Sequence, residues 1–210
     1  MQGDAVRSSY DSAAKAYADH LFDELDGKPL DRHLLNRFVD EFANHGKIID
    51  LGCGPGHIAK YVHDRGGDVI GIDLSPSMIA VARERVPDVP FHEGDMRSLD
   101  LRDHSADGLI SFYSIVHFTA EALPDVFTEA RRVITPDGLF LIAFHIGEES
   151  NHVDELFGES VSLDFQFHQP EIVAGALQRS GFRVIERTER EPYPEAEYPS
   201  RRCYMLARAV

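Results

Sequence analysis

The run Asp50-Leu51-Gly52-Cys53-Gly54-Pro55-Gly56 constrains this chain more than any other feature. It overlaps the end of an apolar stretch, KIIDL from Lys47 to Leu51, and precedes a segment with helical spacing. Glycines at alternate positions of a strand-to-helix turn supply backbone angles closed to other residues and let a ligand approach the main chain. The helix opening there adds free amide donors and a positive dipole, which suits a carboxylate. A dinucleotide fold asks for G-x-G-x-x-G to seat a pyrophosphate. Here the spacing is G-x-G-x-G, with Asp50 two residues before the first glycine. An anion beside Asp50 is repelled, whereas the amino group of an amino acid is attracted.

Around this turn, short apolar runs alternate with helical patterns, the signature of a parallel sheet with crossover helices. Strands are expected at Lys47 to Leu51, Asp68 to Leu74, Val89 to Gly94, Gly108 to Tyr113 and Leu139 to Phe144. Helices are expected at 28–43, 56–65, from Ser75-Pro76 to about Arg85, from Leu123 to Ile134, and from Pro170 to Ser180. Ser75 is a hydroxyl N-cap followed by proline at the first helical position. Pro136-Asp137-Gly138 reads as a turn. Val161 to His168 alternates strictly and predicts a half-exposed strand, with His168 on the polar side beside Ser162, Asp164 and Gln166. Phe182 to Arg190 and Cys203 to Ala209 are extended and predict an antiparallel pair at the sheet edge.

A chain of 210 residues suits one well-buried domain, residues 1–210, better than two. The net charge of −15 argues against partners with a phosphate backbone and against an anionic membrane surface. No run approaches the length of a membrane span, and the start of the chain is polar rather than signal-like. Cys53 and Cys203 form no metal-type or disulfide spacing. These features predict a cytoplasmic protein, monomer or homodimer, with no metal, no nucleic acid and no membrane partner.

The D-L-G-C-G-P-G run resembles the first motif of class I S-adenosylmethionine-dependent methyltransferases, and further stations match in order. The resemblance implies an α/β Rossmann-like fold: a mostly parallel seven-stranded sheet, order 3-2-1-4-5-7-6, with helices on both faces. It implies S-adenosylmethionine as cofactor, with S-adenosylhomocysteine as product. Asp50, Gly52, Cys53, Gly54 and Gly56 would hold its amino-acid part, and Asp73 would accept from both ribose hydroxyls. Leu74 and Met78 would offer apolar surface to the adenine, with Asp95 accepting from its amino group and Met96 donating a backbone amide. Tyr10 and Tyr17 fall in an N-terminal lid, residues 1–27, and residues 147–169 form an insertion over the acceptor. Singly, Asp50 and Asp73 also read as ordinary strand-end turn residues, and Tyr10 and Tyr17 as docking aromatics of an amphipathic helix.

Methyl transfer is an in-line displacement, so acceptor contacts are expected at the ends of the fourth and fifth strands and in the lid. His117 is the first candidate base, because it titrates near neutrality and follows the fourth strand. His145, at the end of the fifth, is a second candidate, and Tyr113 bounds the same place. The alternatives are a helix-capping His117, a water-facing His145 and a packing Tyr113. Cys53 reads as a small filler, since nothing basic stands ready to activate it. No Asp- or Asn-Pro-Pro-aromatic run, Pro-Cys nucleophile or paired metal-binding acids follow the fourth strand. The sequence therefore reads as a methyltransferase acting on a small-molecule acceptor. A catalytically inactive cofactor-binding module of the same fold is the alternative.

Overall fold

The computed structural model describes residues 2–42, 46–194 and 197–210. β1 (Lys47–Leu51), β2 (Asp68–Asp73), β3 (Phe91–Glu93), β4 (Ala106–Phe112) and β5 (Ile134–His145) lie parallel, as buried runs rich in Ile, Leu and Phe dictate. α3 (His57–His63) and α4 (Pro76–Arg85) cross between the first three strands, and α5 (Leu123–Val133) crosses to β5. β8 (Phe182–Arg190) and β9 (Arg202–Ala209) add an antiparallel edge, with β9 paired to β5. The sheet order is β3-β2-β1-β4-β5-β9-β8. Numbered among themselves, the seven strands follow the expected 3-2-1-4-5-7-6.

Helices cover both faces. α5 and α6 (Pro170–Arg179) bury Phe127, Val133 and Leu177 against Phe140, Phe144 and Phe182 on one side. On the other, α2 (Pro29–Glu41), α3 and α4 bury Leu35, Phe38, Val62 and Ile79 against Ile48 and Ile110. Each such side chain contributes roughly 1.5–3 kcal/mol on leaving water. Ser75 caps α4 by accepting the amide of Met78 at 3.1 Å. The strand order reverses between β1 and β4, so the carboxyl ends of these strands open onto a crevice, where open α/β sheets take ligands.

Three expectations need correction. Pro136-Asp137-Gly138 does not end an element, because β5 begins at Ile134 and passes through it. The turn survives as an irregularity, with Asp137 at φ 64° and the β4–β5 register slipping between Ala106 and Gly108. The half-exposed strand expected from Val161 is present, but it starts at Glu159, ends at Gln166 and has a partner that was not expected. β6 (Ser150–Leu156) pairs antiparallel with β7 (Glu159–Gln166) in a separate hairpin. Its two-residue turn, Phe157-Gly158, has φ of 52° and 85°, the twist that a tight hairpin requires. His168 lies beyond the end of β7, buried beside the Phe144 ring, with Nε2 3.4 Å from the Ile115 carbonyl. Its alternation stopped two residues earlier, so it shares no solvent face with Asp164. α2 ends at Glu41, and Ala43 of the expected helix lies outside the described residues.

Candidate active site

The glycine turn is pinned to β2, with the amides of Gly52 and Cys53 both donating to the Ile72 carbonyl at 2.8 and 3.1 Å. Gly52 has φ 72°, and a Cβ there would stand 2.4 Å from the Cβ of Ser114. Gly54, at φ 53°, would point a Cβ into open space on a cavity wall. Its amide donates to one oxygen of Asp73 at 2.9 Å, and the amide of Ser75 donates to the other at 2.9 Å. The carboxylate of Asp73 is thus held in a fixed orientation, while burial pushes its pKa up against those two bonds.

Asp50 is only 1% exposed, and its Oδ2 has no hydrogen-bond partner. Burial pushes this carboxyl up to about 7, with His57 opposing and the Asp73 charge adding to the rise. A buried carboxylate oxygen without a partner is costly, so the site is short of one donor. Cys53 is buried, and its thiol is pushed well up by the same desolvation. It packs as a filler. Gly56 does not border the cavity. Its φ of 88° starts α3, and it lets Phe91 pack within 2.7 Å of where a Cβ would be.

Asp50, Gly52, Gly54 and Asp73 face one cavity of about 680 Å³. Leu74, Met78 and Met96 add apolar surface to its lining. Asp95 also borders it, with its carboxylate turned onto Arg97, which donates from Nη2 at 2.6 Å and from its backbone amide at 2.9 Å. Nε of Arg97 also donates to both oxygens, at 3.0 and 3.2 Å, so a further donor at Asp95 would have to compete with Arg97.

The roof comes from two elements distant in sequence. α1 (Gln2–Leu21) packs Ala13 against Val161 and Leu163 of β7, and Ser9 exchanges two hydrogen bonds with the backbone of Ser162 at 3.2 and 3.0 Å. Tyr10 and Tyr17 of α1 border the cavity with ring centroids 5.9 Å apart. The Tyr10 hydroxyl lies 2.8 Å from Nε2 of His117. Burial pushes the His117 imidazole down to about 4, with the Asp164 backbone opposing. Nδ1 of this ring makes no hydrogen bond of ordinary geometry. The acids of the hairpin, Asp154, Glu155 and Glu159, are exposed, whereas Val153, Leu156, Phe165 and the following Phe167 border the cavity.

His145 also faces the cavity, with Nδ1 2.7 Å from the Ser200 hydroxyl. Burial and the nearby Arg202 and Lys28 push it down to about 3. Tyr113 forms wall: its φ is 55°, and its hydroxyl is shared with Tyr204 at 2.9 Å and Asp31 at 3.2 Å. Behind it stands a charged group that no motif announced. Arg190 pairs with Asp31 at 2.9 Å and Glu197 at 2.6 Å, Arg202 with Glu197 at 3.1 Å, and Lys28 with Glu24 at 2.7 Å. These residues come from α2, β8, β9 and the segments beside them. Only Arg202, at the head of the apolar RCYMLARA, carried a sequence signal, a charge beside an apolar run.

Among the described residues no group of three or more His, Cys, Asp or Glu could hold a metal ion. No described helix is long and apolar enough to cross a membrane.

The comparisons with known proteins fall on this frame. Residues 48–138, from β1 to the irregularity in β5, match the family model of a methyltransferase domain. The malonyl-[acyl-carrier protein] O-methyltransferase of Serratia marcescens is 30% identical over 141 residues, covering 66% of this chain and 52% of that protein. The dTDP-3-amino-3,6-dideoxy-alpha-D-glucopyranose N,N-dimethyltransferase of Streptomyces fradiae is 34% identical over 96 residues, 45% of this chain and 38% of that one. The chain thus spans about half, or less, of the length of these relatives. Among solved structures, the 1,6-didemethyltoxoflavin-N1-methyltransferase of Burkholderia thailandensis, with bound 1,6-didemethyltoxoflavin and S-adenosylhomocysteine, superposes with a TM-score of 0.75. That match covers 99% of this chain and 88% of the other at 20% identity, a likeness of fold. Over residues 48–138 the chain matches a methyltransferase domain, and the sheet built around that segment has the strand order expected of the class I S-adenosylmethionine-dependent methyltransferase fold.

Proposed function

We propose that this protein binds S-adenosylmethionine in the 680 Å³ cavity and transfers its methyl group to a small-molecule acceptor. The observation that carries this reading is the partnerless Oδ2 of Asp50, buried beside a turn whose glycines leave backbone-sized room. An ammonium group supplies the missing donor, and charge-assisted bonds of this kind contribute roughly 1.5–3 kcal/mol. Asp73, already oriented by two amides, presents its remaining lone pairs to a diol such as ribose. Leu74, Met78 and Met96 suit a flat heterocycle, with Asp95 at its edge.

When bound, the cofactor supplies an electrophilic methyl on a sulfonium that leaves as a neutral thioether. The chain's own residues then have three tasks. Tyr10, Tyr17 and the β6–β7 hairpin exclude water from above. Tyr113 and Ser114 bound the end of β4, with the Ser114 hydroxyl fixed on the Leu51 carbonyl at 2.9 Å. His117, neutral at pH 7 because of its burial, takes the proton that an oxygen, nitrogen or carbon acceptor must lose. His145 is the second candidate for that proton. The relatives named above, an O-methyltransferase and an N,N-dimethyltransferase, support small-molecule transfer as a class.

Calorimetry with S-adenosylhomocysteine tests the reading directly. Binding to the intact protein is expected, weakened about tenfold or more in Asp73→Ala. No binding heat for either the donor or its spent form refutes it.

A further inference from the structure

The far end of the cavity, past His145, is built differently from the cofactor stations. The His145 and Phe167 rings are stacked, with centroids 5.2 Å apart and an interplanar angle of 27°. Tyr198 meets both rings edge-on, at 6.3 and 6.0 Å. Tyr198 borders the cavity yet is 58% exposed, an unusual position for a large aromatic ring. Apolar ring faces are thus left with open space beside them, and a flat partner would bury them.

The charges at this end are uneven in what they leave free. The Glu197 side chain is buried, with its oxygens taken by Arg190 at 2.6 and 2.8 Å and by the amide of Tyr193 at 2.7 Å. Glu24 is taken by Lys28 and His57. Arg202, only 2% exposed, borders the cavity. Its Nη1 donates to the carbonyls of Tyr198 and Ser200, and its Nε faces Glu197 without a bond of good geometry. Lys28 Nζ stands over the Tyr113 ring at 5.0 Å, in the same wall. The carboxylates here are taken, while Nε of the Arg202 guanidinium is left without a hydrogen-bond partner. The acids of the hairpin face outward, so they add no attraction for a cation inside.

We infer that the acceptor is a planar aromatic acid, its ring against Phe167, His145 and Tyr198 and its carboxylate on Arg202, with Lys28 adding charge. This rests on the methyltransferase reading for its chemistry. In that chemistry the acceptor's nucleophilic atom forms the new bond to methyl carbon, the carbon–sulfur electron pair stays on sulfur, and the acceptor proton passes to a histidine.

Calorimetry on the intact protein saturated with S-adenosylhomocysteine provides the test, with p-hydroxybenzoate, p-hydroxybenzyl alcohol, tyramine and cyclohexanecarboxylate as probes. The aromatic acid is expected to bind roughly tenfold or more tightly than the alcohol, from its charge-assisted bond. Tyr198→Ala is expected to weaken it roughly three- to tenfold, the contribution of an aromatic contact. That exposed substitution should leave the affinity for S-adenosylhomocysteine unchanged, which separates lost contact from lost folding. Phe167→Leu supplies a second variant, with the same sign. Equal binding of all four probes, a preference for tyramine, indifference to both substitutions, or no binding of the acid overturns the proposal. If S-adenosylhomocysteine itself gives no heat, the cofactor reading fails, and the acid titrated into free protein then decides the aromatic site alone.

Discussion

The Tyr10 hydroxyl and Nε2 of His117 meet at 2.8 Å across 107 residues of sequence, tying α1 to the turn that follows β4. Burial keeps the imidazole neutral and pushes the Tyr10 phenol well up, so this contact joins two neutral groups at pH 7. With the ring proton on Nε2, the imidazole donates to the Tyr10 hydroxyl oxygen, which leaves the lone pair on Nδ1 for an incoming proton. The bond holds the roof in place and fixes the plane of the candidate base. Tyr10→Phe keeps the ring packing and removes only the hydroxyl. A loss of roughly three- to tenfold in S-adenosylhomocysteine affinity is expected, in line with one net hydrogen bond. Calorimetry on the two proteins decides it, and identical constants would remove Tyr10 from the site.

Asp50 makes cofactor binding depend on pH. Its carboxyl is pushed up to about 7, so below that pH the free protein carries it protonated. A bound ammonium favours the ionised form, so binding expels this proton. Affinity for S-adenosylhomocysteine should therefore rise with pH up to about 7 and then level off. Titrations below pH 7 in two buffers of different ionisation enthalpy should show proton release. Asp50→Asn should abolish that release, and a release unchanged in the variant would assign it elsewhere.

His117 and His145 have folded-state pKa values of about 4 and about 3, below the unfolded value of about 6.5. A histidine depressed in this way leaves stability intact above 6.5. Below it the unfolded chain takes the proton first, so stability falls as pH drops, down to the folded value. Each ring should account for up to about 3–5 kcal/mol of acid destabilisation across that window. Urea unfolding across the window should show a shallower slope in His117→Gln. In turnover with saturating cofactor, the same variant should lower the maximal rate about a hundredfold, the lower end of general-base effects. Full activity in His117→Gln would pass the proton-accepting role to His145.

Two glycines of one turn should fail in different ways. Gly52→Ala brings a Cβ within 2.4 Å of Ser114 Cβ at φ 72°, so the loop must shift, and destabilisation of about 1–3 kcal/mol is expected. Gly54→Ala meets no atom within 4 Å, so it costs only the left-handed backbone, about 1–2 kcal/mol, while its methyl occupies cavity space. The second variant should stay folded yet lose S-adenosylhomocysteine affinity. Thermal melts with and without ligand separate the two outcomes, and a ligand-induced shift in Gly54→Ala equal to that of the parent would contradict the assignment.

Asp31, fully buried, accepts from Arg190 at 2.9 Å and from Tyr204 at 2.8 Å. Removing one member of a buried pair strands the other, at about 3–5 kcal/mol. Asp31→Ala should lower the urea midpoint accordingly, and a loss under 1 kcal/mol would show that Glu197 alone suffices for Arg190.

The parallel half of the molecule was legible because its strands are unbroken apolar runs and its turns carry glycine, proline or a capping serine. Asp50 and Asp73 were legible for a related reason, since strand ends fix where a side chain must emerge. β6 was not legible. SNHVDEL carries only two apolar residues, and its partner is found through Phe157-Gly158, a turn without the usual asparagine or aspartate. His168 was misplaced because one residue of lost pleat turns a side chain to the opposite face. The pairing of Asp31 with Arg190, 159 residues apart, has no local pattern at all. Only the meeting of α2 with the antiparallel edge creates it.

The β6–β7 hairpin makes no strand pairing with the seven-stranded sheet, because β9 already occupies the flank of β5. Its length, its tip and the side chains it lowers toward the cavity can therefore drift without disturbing a single rung of the main ladder. Under the proposed function, descendants of this chain would be free to change their acceptor by remodelling one appendage, while the half proposed to hold the donor stays under its old constraints.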